Sequence, residues 1–117
     1  MLVAAAGLAA CGSNGSKGAA EVTTTEVPPG AVVVEVVTSS RSVGEYQPKE
    51  ASVPVGGTVA WPNKSNASHN VVFKDDSLPS SKLYGEDRVF SATFDTAGRY
   101  SYRCTIHPGM DGTLVVG

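Results

Sequence analysis

The stretch FDTAGRYSYRCTIHPGMDGTLVV, residues 94–116, decides how the chain is read. Tyr100, Tyr102 and Cys104 fall on one face of an extended segment, the period of two that marks a half-buried strand. Gly98 precedes that segment, Pro108 and Gly109 turn the chain after it, and GTLVV then reads as a second strand. Upstream, the same period places Phe90, Ala92 and Phe94 on one face and His69, Val71 and Phe73 on another. From Ala31 onward the texture continues as AVVVEVV, an edge piece around VGEY, EASVPV, GTVAW, HNVVFK, RVFSATF, GRYSYRC and GTLVV, broken at Gly56-Gly57, Pro62-Asn63 and Gly98. No run sustains a 3.6-residue period. The expected fold is all-β, a Greek-key β-sandwich of about seven to eight strands.

At 117 residues and 12.0 kDa, with 41% hydrophobic residues, the chain has room for one domain with one core. The formal net charge is -2, and Lys and Arg are scattered among Asp and Glu. No clustered basic face is available for a phosphate backbone, so nucleic acid is excluded as a partner.

The N-terminal MLVAAAGLAACGSNGSKGAA changes character at Cys11. The apolar run Leu2–Ala10 is too short to span a bilayer and suits the hydrophobic region of a secretion signal. Leu8-Ala9-Ala10-Cys11 resembles the lipobox of bacterial lipoproteins, in which the cysteine is acylated and becomes the mature N-terminus. The run lacks the Lys or Arg that opens such leaders, which an initiation codon upstream of Met1 would supply. The expected organisation is a signal and lipobox segment over 1–11, a Gly/Ser/Ala/Thr-rich tether over 12–30 and a folded domain over 31–117. This places the protein outside the cytoplasm, in the periplasm or at the cell surface, held to the membrane by lipid at Cys11.

With Cys11 and Met1 assigned to the leader, the remaining soft and imidazole donors are His69, Cys104, His107 and Met110. One thiol, two imidazoles and a thioether form the ligand set of a blue-copper electron-transfer site, with the methionine as a weak axial ligand. In Cys-x-x-His-x-x-Met, a tight turn at Pro108-Gly109 can fold three ligands around one ion while His69 arrives from a remote strand. Singly, each residue has an ordinary reading as core or loop. Jointly, every suitable ligand of the domain falls on one plausible site.

SHNVVF together with FDTAGRYSYRCTIHPGMDGTLVV resembles the cupredoxins, specifically small members of the plastocyanin, pseudoazurin and amicyanin type, and VGGTVAWPN is similar to the strand and turn that precede their first histidine. The resemblance covers most of Ala31 to Gly117. It implies one copper ion held by His69, Cys104, His107 and Met110, a monomer, and one-electron exchange with redox protein partners rather than an enzyme. It also implies that Asn70 sends its backbone N–H toward the thiolate while its side chain braces Thr105. In such proteins the second histidine of the set, here His107, is the electron port. Ile106 departs from the proline usual in these loops. It either aims an additional N–H at the Cys104 sulfur or adds apolar surface beside His107.

Other classes fit less well. D-x-x-G-x-Y-x-Y-x-C is similar to the end of an immunoglobulin-type sandwich, but the domain has no second cysteine for the inter-sheet disulfide. A structural zinc site would gather more thiolates, and methionine is a poor zinc ligand. Cys104 and His107 lie on one tight loop with no oxyanion-hole motif for hydrolysis. The alternative that stays open is a copper carrier or buffer outside the cytoplasm.

Overall fold

Runs of β-branched and aromatic residues form ten short strands in the computed structural model, which describes residues 23–39 and 44–117. The segment expected as a leader, with Cys11, and the part of the expected tether up to residue 22 lie outside the described residues. The strands are β1 (Thr23–Thr24), β2 (Val32–Val33), β3 (Glu35–Val37), β4 (Glu45–Gln47), β5 (Glu50–Val53), β6 (Gly57–Pro62), β7 (Val72–Phe73), β8 (Val89–Phe94), β9 (Gly98–Arg103) and β10 (Asp111–Val116). One four-stranded sheet has the order β5-β10-β9-β7, the other β1-β8-β6-β2, and β3 pairs with β4 as a ribbon. The expected all-β sandwich is the observed fold, with more and shorter strands than the sequence suggested.

The long pairs are antiparallel. β9 and β10 run in register from Gly98↔Val116 to Arg103↔Asp111, and β6 and β8 from Gly57↔Phe94 to Pro62↔Val89. Each sheet also carries a parallel pair, β5 with β10 and β2 with β6.

Three differences from the sequence reading follow from particular hydrogen bonds to other segments of the chain. AVVVEVV splits because Val34 N donates to Ala60 O at 2.9 Å while Lys64 N donates to Val36 O at 2.7 Å, so successive residues serve different neighbours. HNVVFK shrinks to Val72–Phe73 because Val72 already faces Arg103, the last residue of β9, and on the other side Val71 N and Phe73 N donate to Ser81 Oγ at 2.8 Å and Ser80 Oγ at 3.1 Å instead of to a further strand. Within the stretch expected as tether, Thr23 and Thr24 pair with Phe90 and Val89. The Arg88 guanidinium donates to Thr23 O at 2.8 Å and to Thr23 Oγ1, fastening that pair to the sheet edge.

The inward faces meet around Trp61, which is fully buried. Its ring stacks on Phe90 with centroids 5.5 Å apart and meets Phe73, Phe94 and Tyr102 edge-on. Such pairs contribute about 0.5–1.5 kcal/mol each beyond their buried area. Trp61 Nε1 and the Tyr102 hydroxyl are buried without a hydrogen bond of sound geometry among the described residues. The indole favours a tyrosinate electrostatically, but the two groups do not meet as donor and acceptor. Leaving each unpaired costs about 1–3 kcal/mol, which the aromatic packing offsets. The cluster lies beneath the end of the sandwich where β6 and β9 finish and β8 and β10 begin, the end that carries residues 104–110.

Burial is the main reason that Tyr46, Tyr84 and Tyr102 hold their phenol protons above the ordinary range, Tyr102 to about 12. In the unfolded chain these phenols ionise near pH 10. A group whose folded value is raised contributes stability that is fully present below the unfolded value and is lost as pH rises toward the folded one. The melting temperature of the metal-free protein should therefore fall as pH rises above about 10, with these three tyrosines ionising together with unfolding. Thermal melts across an alkaline series, followed by tyrosinate absorbance, check this. Ionisation of the three in a still-folded chain near pH 10 is the contrary outcome.

Candidate metal centre

Residues 104–110 are the connection of the β9–β10 hairpin, and the Arg103↔Asp111 pair closes it. Inside the loop Cys104 N donates to Met110 O at 2.9 Å and Met110 N donates to His107 O at 3.0 Å. Gly109 sits at φ 87°, the left-handed region that glycine enters without steric cost. These constraints turn Cys104 and Met110 inward, where both are buried, and leave His107 half-buried.

His69 comes from the other direction. It precedes β7, and its backbone exchanges two hydrogen bonds with Tyr84, His69 N to Tyr84 O at 3.1 Å and Tyr84 N to His69 O at 2.8 Å. The Tyr84 hydroxyl in turn donates to Trp61 O at 2.8 Å, tying this bridge to the aromatic core. The imidazole is fully buried. Burial first, then the neighbouring His107, holds it below its ordinary proton affinity, which favours the neutral ring a metal requires.

The side chains singled out from sequence converge. His69 Nδ1 lies 3.1 Å from His107 Nδ1, Cys104 Sγ lies 3.4 Å from His107 Nδ1, and Cys104 Sγ lies 3.9 Å from His69 Nδ1. A point equidistant from three atoms at these separations lies inside their triangle and about 2 Å from each. That matches metal–nitrogen bonds of about 2.0–2.1 Å and falls slightly short of metal–sulfur bonds of about 2.3 Å. The donor set of one thiol and two imidazoles, with a thioether beside them, is soft enough for Cu(I) and acceptable to Cu(II). The residues present therefore fit a copper ion.

Met110 reaches the cluster against Gly44, a residue that sequence reasoning did not single out. A Cβ built on Gly44 would stand 2.3 Å from His69 Cε1 and 2.8 Å from Met110 Sδ, so the bare Cα is what lets ring and thioether approach together. Around the donors, Asn70 and Thr105 form a reciprocal pair: Asn70 Nδ2 donates to Thr105 Oγ1 and Thr105 N donates to Asn70 Oδ1, each at 2.9 Å. The Tyr46 hydroxyl donates to Asn70 O. Sequence reasoning also passed over Ser65, whose Oγ lies 2.9 Å from His69 Nε2. Ile106, next to His107 in sequence, leaves 49% of its surface in solvent.

Residues 32–117 match the family described as copper binding proteins, plastocyanin/azurin family. Amicyanin from Paracoccus denitrificans is 39% identical over 95 residues, covering 78% of this chain and 69% of that protein. Plastocyanin from Scenedesmus fuscus is 39% identical over 83 residues, covering 61% of this chain and 85% of its own length. Among solved structures, the Cu(I) form of an amicyanin point mutant superimposes with a TM-score of 0.71 at 33% identity, over 87% of this chain and 97% of that one.

Gly44→Ala should displace the His69 ring and the Met110 thioether, because neither can keep its place beside a methyl group. We expect copper affinity to fall by about tenfold or more, in line with other perturbations of ligand placement, and the melting temperature of the metal-free protein to fall as well, because the methyl group overpacks a buried ring at a cost of about 1–3 kcal/mol. Competitive copper titration and thermal melts of both proteins check this. Wild-type affinity in the variant would show that the site accommodates the methyl group.

Proposed function

The chain belongs to the plastocyanin/azurin family of copper-binding proteins, and we propose that it acts as a blue-copper one-electron carrier whose single copper ion is held by His69, Cys104, His107 and Met110. The observation that carries this reading is the compact triangle of Cys104 Sγ, His69 Nδ1 and His107 Nδ1, all within 4.8 Å of one another. Copper held there supplies a Cu(I)/Cu(II) couple.

The part of the chain is to keep the donors still. His69 is tied through its backbone to Tyr84, and Thr105, next to the thiol, is tied to Asn70. Cys104 and Met110 are joined through the backbone of their own loop. Donors held this way have little freedom to rearrange when the charge between them changes, which is the requirement for fast electron exchange. Burial of three of the four donors also favours retention of the ion over its release. That supports an electron carrier rather than a copper carrier, a copper buffer or an enzyme.

His107 is the donor that reaches solvent, flanked by exposed Ile106, Pro108 and Gly109. A small apolar rim suits brief docking of a redox protein partner through that imidazole, since little polar surface has to be desolvated. The N-terminal apolar run supports a location outside the cytoplasm, and Leu8-Ala9-Ala10-Cys11 supports lipid attachment at Cys11, with a tether leading to the folded domain, whose first paired residues are Thr23 and Thr24.

Copper added to the full chain should produce an intense visible band from thiolate-to-copper charge transfer. Cys104→Ser should abolish that band, and Met110→Leu should retain it with a raised reduction potential, because a weak axial donor is lost. A Cys104→Ser protein with an unchanged band would falsify the ligand assignment. For the anchor, native protein should partition with membranes and Cys11→Ser should not, with the band the same in both. Wild-type protein expressed from its own start codon and carrying no lipid mass removes the anchor from this reading.

A further inference from the structure

Behind His69, on the side away from the other donors, lies a set of polar groups buried in the sandwich: Asn63, Ser65 and His69 are each exposed by no more than 2%. Polar groups this deep must satisfy one another, and counting their protons settles which way each bond runs. Asn63 spends both amide protons on carbonyls, Nδ2 donating to Ala67 O at 2.8 Å and to Tyr84 O at 3.1 Å. Its Oδ1 therefore only accepts, from Ser65 N at 2.9 Å and from Ser65 Oγ at 2.7 Å.

The Ser65 hydroxyl has one proton. Two pure acceptors lie within its reach, Asn63 Oδ1 at 2.7 Å and Ala67 O at 3.0 Å, and Ala67 N donates to its oxygen at 3.2 Å. With its proton spent on the shorter of those contacts, Ser65 Oγ meets His69 Nε2, 2.9 Å away, as an acceptor. His69 must then carry its proton on Nε2, which leaves the Nδ1 lone pair facing Cys104 and His107.

We propose that Ser65, oriented by Asn63, is a positioning residue that locks His69 into the tautomer with the proton on Nε2 and Nδ1 free for the metal. This rests on the reading of His69 as a copper ligand. Without the hydroxyl, Nε2–H would be left buried with no acceptor, and the ring would lower that cost by moving its proton to Nδ1, where it can be shared with His107 or the thiol. A copper ion would then have to displace a proton. Outer partners of this kind typically govern about 10–100-fold in metal affinity.

The tautomer is directly measurable. In the metal-free full chain labelled with 15N-histidine, long-range proton–nitrogen correlation should show His69 protonated at Nε2 and bare at Nδ1. Ser65→Ala should shift the proton toward Nδ1 and weaken copper binding by about tenfold or more, whereas Ser65→Thr, which keeps the hydroxyl, should restore both. A wild-type spectrum with the proton on Nδ1 overturns the proposal without any variant having to fold. So does a folded Ser65→Ala protein with wild-type tautomer and affinity. Failure of the copper-site reading is separate: it appears as a Cys104→Ser protein that still gives the visible band, whatever the tautomer of His69.

Discussion

The structure around the candidate site depends on the antiparallel register of β9 and β10. Because Arg103 faces Asp111, the ends of a seven-residue connection are held at neighbouring positions, and Cys104 and Met110 are fixed relative to one another before any metal is considered. The Cys104 N to Met110 O bond continues that ladder by one step into the loop. A slip of one residue would send every side chain of β9 to the opposite face and carry Cys104 out of the core. Tyr102 and Leu114 guard against such a slip, since both are buried on the inward face and would become exposed.

Against that hairpin the remaining donor has to be brought by long-range contacts, and the chain does so with polar groups inside an apolar sandwich. Tyr84 is the junction: its backbone bridges His69, its carbonyl accepts from Asn63, and its hydroxyl reaches the backbone of Trp61. Buried networks stabilise a fold only when their members are satisfied, and this one largely is. The unpaired groups at Trp61 Nε1 and Tyr102 lie instead within the aromatic cluster, where ring packing offsets their cost.

The parts of this arrangement that sequence conveyed are those encoded locally. Period-two alternation exposed the inward faces of β8 and β9, and the spacing of Cys104, His107 and Met110 within one turn made the donor cluster readable. The Asn70–Thr105 brace came from resemblance, and the geometry brings those two residues together. Contacts between distant segments left no such trace. Gly44 is one glycine among 13, and nothing nearby in sequence marks it as the one that must admit His69 and Met110. Ser65 sits in NKSNAS, which reads as an ordinary polar turn, yet it is almost fully buried. The shortening of HNVVFK was hidden for the same reason, since Ser80 and Ser81 take backbone amides that a local pattern assigns to a sheet.

The exposure of the donors follows their chemistry in another respect. The two sulfur atoms are the groups that peroxide and related oxidants attack, a thiol progressing to sulfenic and higher acids and a thioether to its sulfoxide. Cys104 and Met110 are exposed by only 3% and 4%, and Cys104 has no disulfide partner among the described residues. What the cluster turns toward solvent is the imidazole of His107, which does not enter that oxidation ladder. Durability toward oxidants and access for a partner are thus assigned to different elements, sulfur inside and nitrogen at the surface.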